Sequence, residues 1–311
     1  MAIKTANQAS HQTFRYAGSE LILAVVFLHG GPGGSTSIKN TVFFNPSVYR
    51  VILFDQRGCG QSLPLGEIRE NTVQHLVTDI DALRKHLEIQ RWHVFGASWG
   101  TTLSVLYAQT YPEAVVSVTL RGVSFFEALE KIDFNAAFHR TWLFRPELYA
   151  ELTGHLTEEE RKDIAGSYAK RFTCGDYAVE VAAMKVYDRW AGGMSKLIPK
   201  EDNGDDTMTE AEEKQMVAGI RIEWHYHAHN LWLKELQYLE PEKLEKIKNI
   251  PFAIVNGRYD LICPPFAAWS LHKALPNSKL FIIPDAGHSA AEPGTLNKLV
   301  DICDEFATLP I

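Results

Sequence analysis

The sequence predicts an α/β fold, in which helices flank a mainly parallel central sheet and a helical cap is inserted over one edge. Strand-like apolar runs separated by helical patterns indicate the sheet, and they lie at 23–28, 50–54, 91–95, 115–120, 251–257 and 279–283. A stretch without clear strands indicates the cap. We therefore expect a core of residues 1–124 and 246–311, with a cap of residues 125–245 over the carboxyl edge of the sheet.

Other segments of the chain predict local structure. Residues 1–10 are polar, and we expect them to be frayed. Residues 72–87 are predicted to form a helix, because apolar side chains recur along one face at helical spacing. Thr209 and Glu212 form a capping-box pattern, which predicts the start of a helix that carries Glu223.

A tight turn around Ser98 is the most specific feature of the chain. Residues 96–100 read Gly-Ala-Ser-Trp-Gly, between a strand-like run and an apolar helical pattern. This arrangement predicts a nucleophile elbow, because side chains at the two glycine positions would clash with the backbone of the turn. The bare pentapeptide also occurs by chance, and a glycine-rich turn with a capping serine is the alternative interpretation.

A glycine-rich loop follows the apolar run at 23–28. Residues 29–34 read His-Gly-Gly-Pro-Gly-Gly, which can bring backbone N–H groups against a ligand. In an acyl-transfer enzyme, one of these groups and the N–H of Trp99 would form an oxyanion hole. A phosphate-binding loop is excluded, because the segment has neither a Gly-Lys-Ser/Thr ending nor the G-x-G-x-x-G spacing.

Two further residues complete a candidate catalytic triad with Ser98. Asp260 follows the apolar run at 251–257, and His288 follows the run at 279–283 behind a glycine. An acid beyond the carboxyl end of a strand lies on the active-site edge of an α/β sheet. Alone, such an acid is more often a solvated loop carboxylate. The chain order Ser, Asp, His is that of α/β hydrolases, in which His accepts the serine proton and Asp orients the imidazole.

A second acid at a strand end is Asp55. It opens the sequence Asp-Gln-Arg-Gly-Cys-Gly-Gln-Ser at 55–62. We expect Asp55 to pair with Arg57, since a carboxylate and a guanidinium form strong charged hydrogen bonds. Such a pair would brace the loops around the site.

Motifs on both sides of the central segment resemble those of the proline iminopeptidase (prolyl aminopeptidase) family. They lie at 29–34, 55–62, 96–103, 257–264 and 286–294. The resemblance implies the α/β-hydrolase fold and release of N-terminal proline from peptides. It assigns Ser98, Asp260 and His288 to the triad. It assigns Gly31 and Trp99 to the oxyanion hole.

The central segment resembles the family less closely. The family binds the amine of an N-terminal proline with carboxylates in its cap. One of them is the glutamate of a Trp-Ser-x-Trp-Glu-Gly stretch, and this chain has Ala191 at that position. The second stands in an Ile-Glu-x-His-Tyr stretch, which Glu223 matches. The resemblance therefore implies that Glu223 binds the substrate amine. Tyr187, Trp190 and Gly30 are also expected in the substrate pocket.

The cap aromatics have two interpretations. Trp142, Phe144, Tyr187 and Trp190 would either flank a pyrrolidine ring or belong to the core. Asp188 is a candidate substitute for the missing carboxylate, although it lies three positions before residue 191.

Composition limits the partners and the compartment. The chain has 311 residues, 46% of them hydrophobic and 22% charged, and its net charge of −7 argues against nucleic acid and anionic membranes as partners. The apolar run at 21–28 is too short to span a membrane, and no signal peptide precedes it. Four cysteines without metal or disulfide spacing indicate reduced thiols in the cytoplasm. No cofactor is implied.

Two weak patterns are compatible with a metal. Residues 201–206 are acidic but lack the spacing of a calcium loop, so a solvated loop is the preferred interpretation. His225 and His229 share a helix face, but no H-E-x-x-H pattern accompanies them. We therefore predict no metal site.

Three functions are compatible with these features. The first is a serine aminopeptidase that releases N-terminal proline, or another N-terminal residue, from short peptides through an acyl-enzyme on Ser98. The second is an esterase or amidase of the same fold with a non-peptide substrate, which Ala191 favours. The third is a non-catalytic binding protein, against which the complete triad argues.

Overall fold

An eight-stranded sheet is the centre of the fold in a computed structural model, which describes residues 3–7, 13–17, 23–124, 134–198, 208–234 and 237–310. The strands are β1 (Ile3–Asn7), β2 (Thr13–Ala17), β3 (Leu23–Leu28), β4 (Tyr49–Phe54), β5 (Trp92–Ala97), β6 (Val115–Arg121), β7 (Phe252–Gly257) and β8 (Lys279–Ile283). Their order across the sheet is β1-β2-β4-β3-β5-β6-β7-β8, and neighbours from β4 to β8 in this order are parallel. The predicted α/β fold is confirmed, and the predicted strands correspond to β3 to β8.

The first two strands correct the expectation of a frayed start. β1 pairs antiparallel with β2, and β2 pairs antiparallel with β4, with Phe14 aligned to Phe54 and Tyr16 to Ile52. An antiparallel edge strand is held by backbone hydrogen bonds and needs no continuous apolar run. The polar character of residues 1–10 therefore gave no sign of it.

The helices of the described residues are α1 (Val73–His86), α2 (Trp99–Thr110), α3 (Phe134–Phe144), α4 (Pro146–Gly154), α5 (Ile164–Phe172), α6 (Tyr177–Ser195), α7 (Glu210–Ala228), α8 (Pro241–Ile247), α9 (Pro265–Ala274) and α10 (Pro293–Phe306). The helix predicted at 72–87 is confirmed as α1, whose N-cap Thr72 accepts a hydrogen bond from the backbone N–H of His75. The predicted capping box of Thr209 and Glu212 is present at the start of α7.

Helices cover both faces of the sheet. Along β3, Val26 and Leu28 point into one hydrophobic core, with α1, α2 and α9, whereas Val25 and Phe27 point into another, with α10. This alternation follows from the twofold periodicity of a strand. Because both faces are covered, the carboxyl edge of the parallel strands is left for ligand binding.

Between β6 and β7, the described residues form α3 to α8 and contain no strand. An aromatic cluster holds most of these helices together, and it consists of Phe138, Tyr168, Phe172, Tyr187, Trp190 and Trp224. α8 differs, because its Ile247 packs into the core beside α2. The division into a core and a cap of residues 125–245 remains a prediction. Residues 125–133 and 199–207, which include the acidic stretch at 201–206, lie outside the described residues.

The described helices lack any segment long and apolar enough to cross a membrane. The four cysteines, Cys59, Cys174, Cys263 and Cys303, are all described, and none is paired in a disulfide.

Candidate active site

Ser98 occupies a strained turn between β5 and α2. Its backbone has φ 54° and ψ −123°, a conformation that non-glycine residues rarely adopt. The glycines on either side are required by close contacts. A Cβ at Gly96 would lie 2.4 Å from the carbonyl oxygen of Gly100, and a Cβ at Gly100 would lie 2.0 Å from that of Leu28. The backbone thus has the shape of a nucleophile elbow, with Ser98 at its tip.

Asp260 and His288 are in direct contact. The Nδ1 of His288 donates a hydrogen bond of 2.8 Å to Oδ2 of Asp260. The other oxygen of Asp260 accepts hydrogen bonds from the backbone N–H groups of Ile262, at 3.0 Å, and Cys263, at 2.7 Å. Asp260 is only 2% exposed, and these three hydrogen bonds hold its carboxylate in one orientation. Because Nδ1 carries the proton, Nε2 of His288 presents its lone pair.

Ser98 lies beside this pair without a hydrogen bond to it. Its Oγ is 3.9 Å from Sγ of Cys263, and its backbone N–H donates to the carbonyl of Arg121 at 2.9 Å. Arg121 in turn has its Nη1 3.2 Å from Nε2 of His288. Within the described ranges, no hydrogen bond joins Ser98 to His288. Hydrogen bonds between nucleophile and base often tighten only when a substrate binds.

The glycine-rich loop packs tightly against Ser98 and α7. A Cβ at Gly30 would lie 3.0 Å from Cβ of Ser98, and one at Gly33, where φ is 87°, would lie 2.0 Å from the carbonyl oxygen of Gly219. Gly31 has φ 114°, which also favours glycine. The loop therefore depends on glycine at several positions for its approach to both neighbours.

Gln56 connects the two segments of the predicted oxyanion hole. Its side-chain N–H donates to the carbonyl of His29 at 3.0 Å, and its Oε1 accepts from the indole N–H of Trp99 at 3.0 Å. Its backbone N–H also donates to Nε2 of His29, whose Nδ1 is thereby the donor to the carbonyl of Gly30. Burial lowers the pKa of His29, so the ring stays neutral. No pattern in the sequence predicts this role for Gln56, which lies within the motif at 55–62.

The expected pair of Asp55 and Arg57 is wrong. Oδ1 of Asp55 accepts from the backbone N–H and the hydroxyl of Thr36, at 2.7 and 2.6 Å, and Oδ2 accepts from the N–H of Gln61. Arg57 instead makes a bidentate contact with Asp79 on α1. Both residues do brace loops, but the loop hydrogen bonds already occupy both oxygens of Asp55.

Glu223 lies in a cleft between α6, α7 and the glycine-rich loop. The cleft has a volume of about 440 Å³, and its lining includes Gly31, Tyr187, Asp188 and Glu223. Asp188 and Glu223 therefore line the same cleft. This is required if Asp188 replaces the family carboxylate that is absent at position 191. The structure thus brings together the predicted oxyanion loop and the predicted amine ligand.

Glu223 is a largely buried carboxylate, with 16% of its side chain exposed, and it has no cationic partner in the described part of the chain. Its Oε1 accepts a hydrogen bond of 2.9 Å from the hydroxyl of Tyr187. The nearest basic group is Nε2 of His227, at 4.0 Å, and burial lowers the pKa of His227 to about 3, so that ring is neutral. Burial raises the pKa of Glu223 to about 7, against a lowering effect of the Tyr187 hydrogen bond. Such a carboxylate is suited to receive a cation.

The other predicted pocket aromatics lie elsewhere. Trp190 is 5% exposed in the aromatic cluster between β6 and β7, and its indole N–H donates to the hydroxyl of Thr141 at 2.7 Å. Trp142 and Phe144 are exposed, so they are neither core nor part of this cleft. Ala191 packs against the aromatic cluster. Among these aromatic residues, only Tyr187 lines the cleft with Glu223.

Of the two candidate metal patterns, the structure describes only the histidine pair. The rings of His225 and His229 lie 4.7 Å apart and both contact Trp232, which makes them part of an aromatic group. The residues that the structure describes contain no group of three or more potential metal ligands. The acidic stretch at 201–206 falls outside them.

Comparison with known proteins shows which family this chain resembles. The profile of the α/β hydrolase fold family matches residues 24–162 and 194–295. A probable proline iminopeptidase of Leptolyngbya boryana is 42% identical over 284 residues, which cover 91% of this chain and 86% of that protein. The proline iminopeptidase of Arabidopsis thaliana is 40% identical over 277 residues, which cover 89% of this chain and 71% of that protein.

Solved structures agree on the fold. The proline iminopeptidase of Mycobacterium smegmatis superposes with a TM-score of 0.63 at 18% identity, covering 98% of this chain and 99% of that one. An esterase from Exiguobacterium antarcticum superposes with a TM-score of 0.60 at 16% identity, covering 95% and 96%. Identities this low show the fold alone. The relatives in sequence are closer, and by their similarity along almost the whole chain this protein belongs to the proline iminopeptidase family of α/β hydrolases.

Proposed function

We propose that the protein is a serine aminopeptidase that releases N-terminal proline from short peptides. Ser98 is the nucleophile, His288 the general base and acid, and Asp260 the residue that orients the imidazole. The backbone N–H groups of Gly31 and Trp99 form the oxyanion hole. Family membership supports hydrolysis and the preference for proline, and the contacts of the site support these roles.

The reaction follows from the positions of these groups. The Oγ of Ser98 attacks the carbonyl carbon of the N-terminal residue while its proton passes to Nε2 of His288. The resulting oxyanion is stabilised by the two backbone N–H groups. Collapse of this intermediate breaks the peptide bond, and His288 donates its proton to the leaving amine. Water, deprotonated by His288, then cleaves the acyl-enzyme, which releases the free amino acid and restores Ser98.

The burial of Glu223 is the observation that carries the aminopeptidase proposal. A carboxylate taken out of water without a cation is unfavourable, and a positively charged substrate amine removes that penalty. The cleft that contains Glu223 also contains Gly31 of the oxyanion loop. A substrate bound by its amine at Glu223 therefore has its carbonyl near the groups that act on it.

An esterase or amidase is the second candidate. Ala191 favours it, since a family carboxylate is absent at this position and the positive charge of an amine is less fully matched. Asp188, which lines the same cleft as Glu223, favours the aminopeptidase.

Replacement of Glu223 distinguishes the two. In Glu223→Gln, we expect kcat/KM for prolyl p-nitroanilide to fall by the equivalent of about 2–4 kcal/mol, because the amine loses its charge partner. N-acetylprolyl p-nitroanilide has no cation, so its slower hydrolysis should change far less. Glu213→Gln, on the same helix but paired with Lys185, is the matched control and should leave both rates unchanged. Equal losses on the two substrates would assign Glu223 a structural role and favour the esterase.

The expected partners are small peptides, and neither nucleic acid nor a membrane is proposed, in keeping with the net charge of −7. We place the protein in the cytoplasm, where the free cysteines remain reduced.

A further inference from the structure

Arg121 is the last residue of β6, and its side chain lies directly against His288. Its Nη1 donates a hydrogen bond of 2.8 Å to the carbonyl oxygen of His288 and lies 3.2 Å from Nε2 of the same residue. Its own carbonyl accepts the N–H of Ser98. Arg121 therefore contacts both the predicted nucleophile and the predicted base.

The guanidinium of Arg121 has more donors than partners. A guanidinium offers five N–H groups, but its contacts in the described chain are confined to His288, and Nε is buried without an acceptor. Asp260 is the carboxylate that acts on it electrostatically, but both oxygens of Asp260 are engaged by His288 and by backbone N–H groups. Burial lowers the pKa of Arg121. A partly buried cation without a carboxylate partner is suited to bind an anion.

The guanidinium of Arg121 lies close to the expected position of the leaving group. The leaving nitrogen receives its proton from Nε2 of His288, so it must come within about 3 Å of that atom. In a dipeptide, the C-terminal carboxylate is attached to the carbon next to the leaving nitrogen. Since Nη1 of Arg121 is 3.2 Å from Nε2, a carboxylate so attached is within reach of the guanidinium.

We propose that Arg121 binds the C-terminal carboxylate of a dipeptide substrate, so that the enzyme prefers prolyl dipeptides to their amides and to longer peptides. This inference rests on the aminopeptidase function proposed above. The charges match a zwitterion, with the amine at Glu223 and the carboxylate at Arg121. The same contact draws Nη1 away from Nε2, which leaves the lone pair of His288 free for the proton of Ser98.

The test compares substrates that differ only in the carboxylate. We would measure kcat/KM for Pro-Ala, Pro-Ala amide and Pro-Ala-Ala with the wild type, Arg121→Gln and Arg121→Lys. We expect the wild type to prefer Pro-Ala by about tenfold or more, as a charged hydrogen bond to the carboxylate implies. Arg121→Gln should bring the three values together, and Arg121→Lys, which keeps the charge, should recover part of the preference. Arg171→Gln, which removes a cap arginine paired with Glu160, is the matched control and should keep the wild-type preference.

Each alternative result has a distinct meaning. A wild type that cleaves the acid and the amide equally well would overturn the inference, and this comparison does not depend on whether a variant folds. An equal loss on all three substrates in Arg121→Gln, with normal labelling of Ser98 by a fluorophosphonate probe, would show that Arg121 only positions His288 and would also overturn it. Release of proline from none of the three by the wild type would instead refute the proposed function, and this inference with it.

Discussion

At the scale of the residue, Glu223 has properties that favour function over stability. Its largely buried carboxylate accepts a hydrogen bond from Tyr187 and lies 4.0 Å from the neutral ring of His227. Burial raises its pKa from the ordinary value of 4.5 to about 7. The folded protein therefore holds a proton on Glu223 at pH values where the unfolded chain has released it. Between these two pKa values, the free energy of unfolding must fall as the pH rises.

The pH dependence of stability tests this environment. From pH 5 to pH 8, Glu223 should lower the free energy of unfolding of the wild type by at most about 3 kcal/mol, the equivalent of its pKa shift. Glu223→Gln lacks the titrating group, so the variant should gain stability relative to the wild type as the pH rises. Urea unfolding at both pH values measures the difference. Glu242→Gln, at an exposed position, is the control and should follow the wild type. A constant difference between Glu223→Gln and the wild type would contradict the raised pKa.

Ser98 allows a direct test of the nucleophile. Ser98→Ala removes one oxygen and keeps the Cβ in the same strained turn, so the unfolding curve should stay close to that of the wild type. Turnover should fall by about 10⁴-fold or more, because the oxyanion hole alone supplies little rate. Activity on prolyl p-nitroanilide and labelling by a fluorophosphonate are the measurements. Substantial turnover by the variant would mean that another residue is the nucleophile.

At the scale of the element, helix α1 ends in a Schellman motif that has glutamate where glycine is preferred. The N–H of Glu88 donates to the carbonyl of Lys85, and the N–H of Ile89 donates to that of Arg84, which is the Schellman pattern. Glu88 has φ 57° at the position where helices prefer glycine. The helix therefore ends in a mildly strained conformation, away from the active site.

We expect Glu88→Gly to stabilise the protein by about 0.5–1 kcal/mol, since glycine adopts positive φ without steric conflict. Thermal or urea unfolding would detect the change, and kcat/KM should be unaffected. Glu88→Ala removes the same carboxylate but keeps a Cβ, so it should give no comparable gain. A gain shared equally by both variants would point to charge rather than backbone strain.

At the scale of the whole molecule, α6 and α7 contact loops at the carboxyl edge of the sheet through backbone groups. The N–H of Ser289 donates to the carbonyl of Ser195 at 2.8 Å, next to His288. Gly219 of α7 lies against Gly33, where a Cβ would stand 2.4 Å from the carbonyl oxygen of Gly33. The position of α7, which carries Glu223, therefore depends on how closely it approaches the glycine-rich loop.

The substitution Gly219→Ala separates local from tertiary effects. Helix propensity alone predicts a gain of about 1 kcal/mol for Gly→Ala inside a helix. The contact with Gly33 predicts the opposite, a loss of stability together with a fall in kcat, because the added Cβ pushes α7 and the loop apart. Gly192→Ala is the matched control, since a Cβ there meets nothing within 4 Å and should stabilise α6 without changing activity. Stabilisation of both variants, measured by urea unfolding, would contradict the close contact between α7 and the glycine-rich loop.

Local sequence patterns predicted most of the elements. The runs of β3 to β7 are apolar because their strands are buried on both faces, and α1 shows its face through the spacing of its apolar residues. The turn at Ser98 is equally local, since Gly96 and Gly100 relieve contacts made within the turn and its neighbouring strand. The strands β1 and β2 were not predicted, because they pair antiparallel, and antiparallel strands need no continuous apolar run.

The sequence by itself determined the fold class, the elbow and the order of Ser98, Asp260 and His288 along the chain. Only the tertiary structure decided that Arg57 pairs with Asp79, that Trp190 lies in the aromatic cluster and that Glu223 is largely buried without a cation. The physical reason is the range of the interactions. Strand, helix and turn preferences arise between residues a few positions apart, and the sequence records them directly. Hydrogen-bond partners, burial and the resulting charge state depend on groups brought together from distant parts of the chain.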